Sequence, residues 1–297
     1  MEKKYYFIIN PISGNPSAPD IYTDAINKVF GEAKAPYEIF ITNHAGEGRE
    51  IASKYAGSDA AIIAVGGDGT INEVAGEMVN AKAVFGVIPK GSGNGIAREL
   101  GMPLNALEAC KTLLESPATN IDVGSINGHY FFNIAGIGLD AKVGIEFNKR
   151  RKRGRGRIHY FYITLGEFLR LSPPDIEIET GTEKIRTSPM LVSIANSKQY
   201  GSNAIVAPTA KMNDGIMSIV IFQKMSIPQF LFYVPFLFMG AITKCPHVKE
   251  ITASKCTIRL PKPLPYHTDG ECYTDNATLE FKVLPKALRV LSPTIGK

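Results

Sequence analysis

The 297-residue sequence predicts an α/β domain with a parallel sheet, followed by an antiparallel β domain with inserted helices. In the first part, up to residue 121, short apolar segments alternate with segments of helical periodicity, the pattern of a parallel α/β sheet. After residue 121 the pattern changes to short strand-like segments with hairpin signals. The length suits two domains. We place the boundary near Asp122 and expect domains over 1–122 and 123–284.

The first half alternates strands and helices. Residues 60–65 (AAIIAV) are continuously apolar and partly β-branched, which is typical of a strand buried on both faces of a parallel sheet. Residues 70–79 (TINEVAGEMV) carry apolar side chains at helical spacing, so a helix follows this strand closely. By the same criteria, further strands are predicted over 5–10, 37–42 and 84–88, and further helices over 20–30, 48–55, 95–100 and 105–115.

The second half is predicted to be mainly β. Asn127-Gly128 stands between two apolar runs, which is a strong hairpin signal, and Gly181-Thr182 separates two strand-like segments in the same way. Residues 228–239 (PQFLFYVPFLFM) are apolar almost all round a predicted helix, so we expect this helix to be buried, with a lipid-facing surface as the alternative. Strands are predicted over 176–180, 183–186, 190–195, 216–222, 255–260 and 277–283, and helices over 158–170 and 228–239.

A tight turn joins the third strand to the next helix and consists of Gly66, Gly67, Asp68, Gly69 and Thr70. Glycines let the backbone approach a ligand closely, and free N–H groups at the start of a helix favour anions, phosphate above all. A carboxylate beside a phosphate requires a cation between them, so Asp68 predicts Mg²⁺ as well as a nucleotide. An Asp-Gly turn that merely caps the helix is the alternative.

Three more polar turns follow strand ends in the first half. The carboxyl ends of parallel strands lie along one edge of the sheet, where ligands of open α/β sheets bind. Backbone N–H groups, hydroxyls and side-chain amides in such turns can hold phosphates, so the turns together predict a phosphate-binding edge. The residues concerned are Asn10 after the first strand, Thr42 after the second, and Gly91, Ser92, Gly93 and Asn94 after the fourth.

The second half contributes carboxylates. Asp269 and Glu271 stand two residues apart in HTDGE, after a proline-rich stretch, and Asp214 lies in an Asn-Asp-Gly turn before a predicted strand. Each of these is by itself most often a surface turn. A pair such as Asp269 and Glu271 can also serve as base and nucleotide contact when a phosphoryl group is transferred to an alcohol.

Composition and motifs exclude several classes of protein. The net charge of +5 is compatible with a phosphorylated ligand or an anionic surface. The four cysteines form no CxxC pair, which argues against a zinc site, and the sequence has no P-loop motif. Gly136 to Ala141 fits GxGxxG/A but lies outside the opening βαβ unit that a dinucleotide site requires. The longest apolar run, 230–242, is shorter than the roughly 20 residues of a membrane span, so we expect a cytoplasmic protein.

Six segments, in order along nearly the whole chain, resemble motifs of the diacylglycerol kinase catalytic superfamily, which includes bacterial lipid kinases and sphingosine kinases. The GGDGT turn alone is shared with NAD kinases and phosphofructokinase-like folds, whereas the full series is specific to the lipid kinases. Gly95 departs from the Asp of many bacterial members, and Ser92 is similar to sphingosine kinases. The segments are IINPISG (8–14), GGDGTINEV (66–74), IPKGSGNGIAREL (88–100), IDVGSINGHYFFNIAGIGLDA (121–141), APTAKMNDG (207–215) and HTDGE (267–271).

The resemblance implies an ATP site in a cleft between an N-terminal α/β domain and a C-terminal β-sandwich, with a final segment, 285–297, that returns to the first domain. Carried over by motif, Asp269 is the general base and Glu271 a nucleotide contact. An acidic network of Asp68, Asp122 and Asp214 is implied around Mg²⁺. The residues implied to line the nucleotide are Asn10, Thr42, Gly66, Gly67, Asp68, Gly69, Thr70, Gly91, Ser92, Gly93 and Asn94.

These features together predict an ATP- and Mg²⁺-dependent kinase that phosphorylates a lipid such as diacylglycerol or a sphingoid base at a membrane surface. The basic run from Lys149 to Arg157 (KRRKRGRGR) predicts peripheral contact with anionic lipid at the inner face of the membrane, with a solvated loop as the alternative. Nucleic acid is not expected as a partner, and a homodimer is left open. The rival functions are an NAD kinase-like small-molecule kinase and a basic nucleic-acid-binding protein on a dead kinase fold.

Overall fold

The computed structural model describes residues 3–14, 19–91, 93–149, 157–201, 203–274 and 276–295. The chain divides into two compact units. The first unit contains the described residues up to Val123 together with those from Pro285 onward, and the second contains Gly124–Leu284.

The first unit alternates strands with helices, and the polar turns of interest follow the strands directly. Its elements are β1 (Tyr5–Ile9), α1 (Pro19–Glu32), β2 (Tyr37–Ile41), α2 (Glu47–Tyr55), β3 (Ala61–Gly66), α3 (Asp68–Glu77), β4 (Val84–Pro89), α4 (Gly95–Glu99), α5 (Ala106–Glu115) and β5 (Ala118–Ile126), the last of which continues into the second unit.

A parallel sheet in the order β2-β1-β3-β4 forms the centre of the first unit. Every residue of β3 and β4 is buried, because no polar side chain interrupts these two strands. The parallel α/β prediction is therefore confirmed. Since the four strands run in one direction, their carboxyl ends and the turns that follow them lie at the same edge of the sheet.

In its described residues, the second unit is mainly antiparallel β with three α-helices inserted between strands. Its elements are β6 (His129–Phe131), β7 (Ile134–Gly138), α6 (Leu139–Lys149), α7 (Arg157–Leu169), β8 (Ile176–Thr180), β9 (Lys184–Thr187), β10 (Pro189–Ala195), β11 (Met217–Gln223), α8 (Ile227–Phe238), a short 3-10 helix (Ile242–Lys244), β12 (Val248–Ala253), β13 (Lys255–Arg259), β14 (Tyr266–Thr268), β15 (Glu271–Tyr273) and β16 (Thr278–Leu291), the last of which continues into the first unit.

Two groups of strands enclose the core of the second unit. One is a six-stranded sheet in the order β12-β11-β10-β7-β14-β15. The other contains β8, β9, β13 and the first part of β16. Along β11, Met217, Ile219 and Ile221 face the core shared with β8, β13 and β16, whereas Val220 and Phe222 face a second core that includes residues of α6, α7 and α8. Alternate residues of the strand thus point to opposite sides of the sheet, both of which are covered. Since β11 also pairs antiparallel with β10 and β12, the antiparallel β prediction is confirmed.

The two predicted hairpins are both present. β5 and β6 pair antiparallel next to Asn127-Gly128, and both turn residues have positive φ, +49° and +90°, as a two-residue type I′ turn requires. β8 and β9 pair antiparallel on either side of Gly181-Thr182. The hairpin prediction from turn residues is confirmed in both places.

The last strand is longer than predicted. The sequence places a strand over 277–283, but β16 continues to Leu291 and passes through Pro285. At Lys286 the backbone turns left-handed, with φ +54°, and the Lys286 N–H donates to Asp122 Oδ1 at 2.7 Å instead of to a neighbouring strand. Proline ordinarily ends a central strand because it lacks an N–H; here the local irregularity accommodates it, and beyond it Val290 pairs with Phe85 of β4.

Candidate functional site

The turn after β3 and the loop after β4 are hydrogen bonded to each other through Asp68. Oδ2 of Asp68 accepts the Asn94 N–H at 3.2 Å, and Oδ1 accepts the Gly95 N–H at 3.0 Å. A Cβ on Gly93 would lie 2.8 Å from Asp68 Oδ2, closer than a side chain tolerates. The carboxylate that the sequence assigns to Mg²⁺ is thus also a structural link between the two loops.

Asn94 fixes the conformation of the loop after β4, which contains Gly91 and Gly93. Its backbone is left-handed (φ +52°, ψ +44°), and its side chain closes on Gly91, whose N–H donates to Oδ1 at 2.9 Å and whose carbonyl accepts from Nδ2 at 2.7 Å. A Cβ on Gly91 would lie 2.8 Å from the Gly67 Cα, so glycine is required where the two backbones approach. Ser92, also predicted to line the nucleotide, lies outside the described residues.

Asn10 connects the loop after β1 to Thr70 in the turn after β3. Its Nδ2 donates to Thr70 Oγ1 at 2.9 Å, and its Oδ1 accepts the Ile12 N–H at 3.1 Å. Lys90 holds this loop from the other side, because its ammonium donates to the carbonyls of Asn10 at 3.2 Å and Pro11 at 3.1 Å. Burial lowers the pKa of Lys90 below its ordinary value. No role was predicted for Lys90 from the sequence.

Thr42 has a local role at the end of β2. Its N–H and its hydroxyl both donate to the Ile9 carbonyl, at 2.9 Å and 3.4 Å. The side chain is buried. In the described structure it therefore joins the ends of β1 and β2, and its predicted contact with phosphate stays a prediction.

The N terminus of α3 is suited to an anion. The helix begins at Asp68, and within the described chain no side chain caps it by a hydrogen bond. The first N–H groups of a helix have no partner within the helix, and together with the helix dipole they attract phosphate. Gly67 and Gly69 carry no side chain at this turn, whereas Gly66 leaves room for Thr70, whose Cβ a Cβ on Gly66 would approach to 2.5 Å. The arrangement fits the predicted phosphate-binding edge.

The three acidic residues assigned to Mg²⁺ have separate local partners. Asp122 is buried in the first unit and accepts the Lys286 N–H, whereas Asp214 is exposed in the second unit and accepts the Ile216 N–H at 3.2 Å. Among the described residues, no group of three or more His, Cys, Asp or Glu side chains is placed to hold a metal. Magnesium in kinase sites often uses only one or two carboxylates plus phosphate oxygens and water. Asp68 alone fits that requirement, and the Mg²⁺ assignment stays a prediction.

Asp269 is fixed by three consecutive backbone donors. Its carboxylate accepts the N–H groups of Phe132 on Oδ2 at 2.7 Å, and of Asn133 and Ile134 on Oδ1 at 3.0 and 2.8 Å. Its own backbone has φ +49°, and its N–H donates to the Ile134 carbonyl at 3.0 Å. A carboxylate has about four acceptor positions. These bonds use two on Oδ1 and one on Oδ2, so Oδ2 has capacity for one more donor.

Burial raises the pKa of the Asp269 carboxyl to about 6, although the three N–H donors and His267 act in the opposite direction. At neutral pH such a group is ionised, and it is a stronger base than an ordinary aspartate. A pKa near the working pH is what general-base catalysis favours. Asp269 therefore combines a fixed position, a remaining acceptor position and a suitable pKa.

A buried polar network lies behind Asp269. Ser193, Gly136 and His267 occupy paired positions on β10, β7 and β14. Because Gly136 has no side chain, the Asp140 carboxylate occupies this space, and a Cβ on Gly136 would overlap it. Oδ2 of Asp140 hydrogen bonds the Tyr200 hydroxyl at 2.9 Å and His267 Nε2 at 3.0 Å, and the Tyr200 hydroxyl also hydrogen bonds Ser193.

His267 connects this network to the turn that carries Asp269. Its Nδ1 accepts the Gly270 N–H at 3.2 Å, so the neutral ring carries its proton on Nε2, which faces Asp140. Desolvation lowers the pKa of His267 and the Asp140 carboxylate raises it, with a net upward shift. His267 and Asp140 belong to motifs that are visible in the sequence, but no role was predicted for either of them or for Tyr200.

Glu271 differs from Asp269 in its surroundings. Its side chain is exposed, and Oε2 accepts the Tyr273 hydroxyl at 3.0 Å. Its predicted nucleotide contact stays a prediction.

Gly136 to Ala141, the match to GxGxxG/A, spans the end of β7 and the start of α6. However, β7 is antiparallel to both of its neighbouring strands, so the βαβ context of a dinucleotide site is missing.

Most of the basic run from Lys149 to Arg157 lies outside the described residues, so its predicted contact with anionic lipid stays a prediction. Lys149, the last residue of α6, is exposed and pairs with Glu146 at 2.9 Å. In the described part of the chain, none of the helices has both the length and the apolar character needed to cross a membrane.

Two family models match the chain. Residues 4–126 match the diacylglycerol kinase catalytic domain, and residues 133–292 match the YegS C-terminal NAD kinase beta sandwich-like domain. The second match covers more than half of the sequence.

Similar proteins match nearly the whole length of the chain. A diacylglycerol kinase of Bacillus subtilis (strain 168) is 28% identical over 295 residues, which cover 98% of this chain and 97% of the relative. A diacylglycerol kinase of Mycobacterium tuberculosis is 29% identical over 297 residues, with 97% and 95% covered. A crystal structure of a diacylglycerol kinase from Bacillus anthracis superposes with a TM-score of 0.77 at 19% identity and covers 98% of this chain and 97% of that chain, which supports the fold.

Proposed function

Since this chain belongs to the diacylglycerol kinase family, whose members are phosphotransferases with an alcohol group as acceptor, we propose that it transfers the γ-phosphate of ATP to the free hydroxyl of diacylglycerol. The choice of lipid rests on the names of the similar proteins, which are diacylglycerol kinases from several bacteria. The substrate is a membrane lipid, so we also propose that the protein works at a membrane surface.

The environment of Asp269 is the observation that carries the proposal. Three backbone N–H groups hold its carboxylate, burial raises its pKa to about 6, and Oδ2 retains capacity for one further donor. A hydroxyl group is a donor of the right kind for that position. Asp269 is therefore proposed to orient the acceptor hydroxyl and to accept its proton.

On the donor side, the phosphates are proposed to bind at the carboxyl edge of the parallel sheet. Backbone N–H groups at the start of α3 attract the negative charge, and the close approach of Gly67 and Gly91 keeps side chains away from it. The links from Asp68 to the Asn94 and Gly95 N–H groups hold the two loops in register. Pre-positioned donors of this kind stabilise the charge of a phosphoryl-transfer transition state.

Magnesium fits the donor side through Asp68, whose two carboxylate oxygens each accept one N–H and so retain capacity for a cation. When bound, Mg²⁺ neutralises charge on the β- and γ-phosphates. The bond changes of the transfer involve only the two substrates and Asp269. The acceptor oxygen forms a bond to the γ-phosphorus, the bond from that phosphorus to the β–γ bridging oxygen breaks, ADP leaves, and the hydroxyl proton passes to Asp269.

The proposed function is tested with labelled ATP and a panel of acceptors in mixed micelles: diacylglycerol, phosphatidylglycerol, a polyprenol, a sphingoid base and NAD. We expect transfer of label to diacylglycerol that requires Mg²⁺ and is strongly reduced in Asp269→Asn. Label on NAD with none on any lipid would refute the proposal. Label on a different lipid would retain the reaction and change the substrate.

A further inference from the structure

We infer that the outer side of α8 is the surface through which this protein inserts into an anionic lipid bilayer. The helix has no charged residue between Ile227 and Phe238. Its exposed side chains recur at the spacing of one helix face. This α8 stripe consists of Pro228, Leu231, Phe232, Pro235, Phe238 and Met239, which directly follows the helix.

The opposite side of α8 is anchored to the second unit, so the expected burial of this helix holds for one side only. Phe230, Tyr233, Phe236 and Leu237 pack against the core that includes residues of β10 and β11. None of the helix residues is fully buried, and Phe232 and Met239 are 64% and 72% exposed. Large contiguous patches of exposed apolar residues mark sites that interact with proteins, ligands or membranes.

The neighbouring helix α7 supplies more exposed apolar groups. Phe168 of α7 stacks on Phe230 of α8 with ring centroids 4.4 Å apart, and Tyr162 and Leu169 are 67% and 60% exposed. The chain that leads into α7 lies outside the described residues over 150–156, where the sequence is RRKRGRG, and the helix begins at Arg157.

These features favour a bilayer over a second copy of the chain as the occupant of the α8 stripe. Each copy carries a net charge of +5, so two copies joined through the stripe would repel each other, whereas anionic lipid head groups offer the opposite sign. Apolar side chains next to Lys and Arg are the combination that places a helix in a membrane interface. The inference rests on the proposed function only in that both involve a membrane lipid.

The chain contains no tryptophan, which allows a direct test. Phe232→Trp places a single tryptophan in the α8 stripe, and Leu104→Trp places one at an exposed leucine of the first unit. Each full-length variant is mixed, without ATP, with phosphatidylcholine vesicles that contain phosphatidylglycerol. We expect a blue shift of emission and quenching by brominated lipid for Phe232→Trp and neither for Leu104→Trp. An unquenched Phe232→Trp protein that still binds the vesicles would overturn the inference.

A matched pair of serine variants measures the contribution of the stripe to binding. Leu231 and Leu104 have the same side chain and similar exposure, 45% and 48%. Leu231→Ser should lower vesicle partitioning by roughly tenfold or more, and Leu104→Ser should not change it. High salt screens the contribution of basic residues, so the difference should persist there. Equal partitioning of the two variants would contradict insertion through α8.

Sedimentation velocity tests the alternative that the α8 stripe binds a second copy of the chain. A wild-type dimer that Leu231→Ser converts to monomer, with unchanged vesicle binding, would assign the stripe to a second copy and overturn the inference. The proposed function fails separately: vesicle binding through the stripe without lipid phosphorylation would refute only the kinase proposal. Lipid phosphorylation in micelles by a protein that does not insert α8 would refute only the present inference.

Discussion

Asp269→Asn is the substitution that tests the proposed chemistry most directly, and the structure defines what it changes. The amide oxygen can replace Oδ1 and still accept the N–H groups of Asn133 and Ile134. The amide nitrogen then takes the place of Oδ2 and faces the Phe132 N–H, so two donors oppose each other. The variant therefore loses both the proton acceptor and one backbone hydrogen bond.

These two losses have different sizes and different readouts. Leaving the Phe132 N–H without its acceptor should lower the free energy of unfolding by about 1–3 kcal/mol. Because a domain is typically stable by about 5–15 kcal/mol, we expect the variant to remain folded. Loss of the base should lower kcat by about 10²–10⁴-fold with little change in the KM for ATP.

The pH dependence separates proton removal from simple positioning. With a pKa of about 6, Asp269 is ionised above that pH and protonated below it. The wild-type kcat should therefore rise with pH and level off above about pH 7, and at about pH 5 it should be roughly tenfold below the plateau. The Asp269→Asn enzyme should lack this acid limb. The assay is initial-rate transfer of label from saturating ATP to diacylglycerol in micelles across this pH range.

Two results would refute the reasoning about Asp269. A variant that raises the KM for ATP and leaves kcat unchanged would assign the residue to nucleotide binding. A flat wild-type profile with a kcat loss near the low end of the range would make Asp269 a positioning group, because a loose transition state requires little base assistance. Glu271→Gln is the matched control, since it changes the exposed carboxylate two residues away, and we expect it to act mainly on the KM for ATP.

Three further predictions concern other parts of the molecule. Asp68→Ala removes both the acceptor of the Asn94 and Gly95 N–H groups and the proposed Mg²⁺ ligand. It should therefore lower kcat as well as raise the KM for ATP, and it should lower the free energy of unfolding by about 1–3 kcal/mol in denaturant titrations; unchanged kinetic constants and unchanged stability would exclude both roles. His267→Gln should lower kcat by roughly 10–100-fold without changing the KM for ATP, because the turn that carries Asp269 loses its hydrogen bond to His267. An equal loss in kcat and in kcat/KM for ATP is expected, and a change in the KM for ATP alone would contradict this role. Hydrogen bonds from Lys184 and Arg186 hold the pKa of Glu177 at about 2, so its carboxylate stabilises the fold above the ordinary pKa of 4.5, and this stabilisation disappears as the pH falls toward 2. Glu177→Gln should therefore make the free energy of unfolding fall less steeply between these two pH values, and an unchanged acid side of that profile would contradict the assignment.

The parts of the fold that could be predicted are those with a local sequence signal. β3 and β4 are buried on both faces, so each is a continuous apolar run, and Asn127-Gly128 has the backbone preference of the turn that it forms. Two of the three-residue strands, β14 and β15, had no such signal. β14 and β15 have three residues each, too few for a period-two pattern to be recognised.

The candidate site divides in the same way. Glycine turns after buried strands could be identified because their chemistry is local, and HTDGE drew attention to Asp269 through adjacent residues. Lys90 could not be assigned, because a lysine next to a glycine loop is usually solvated. Its partners are the carbonyls of Asn10 and Pro11, about 80 positions earlier in the chain, and backbone carbonyls leave no trace in side-chain patterns.

The network behind Asp269 depends on strand register rather than on sequence proximity. Gly136 pairs with Ser193 on one side and with His267 on the other, and these residues are 57 and 131 positions away along the chain (193 − 136 and 267 − 136). A shift of one residue in either pairing would turn Ser193 or His267 to the other face of the sheet. The glycine that looks like part of a dinucleotide motif is therefore explained by packing: it leaves space for the Asp140 carboxylate between the two strands. The same spacing of glycines can thus reflect either a phosphate that must approach the backbone or a buried carboxylate that must, and the direction of the neighbouring strands distinguishes the two.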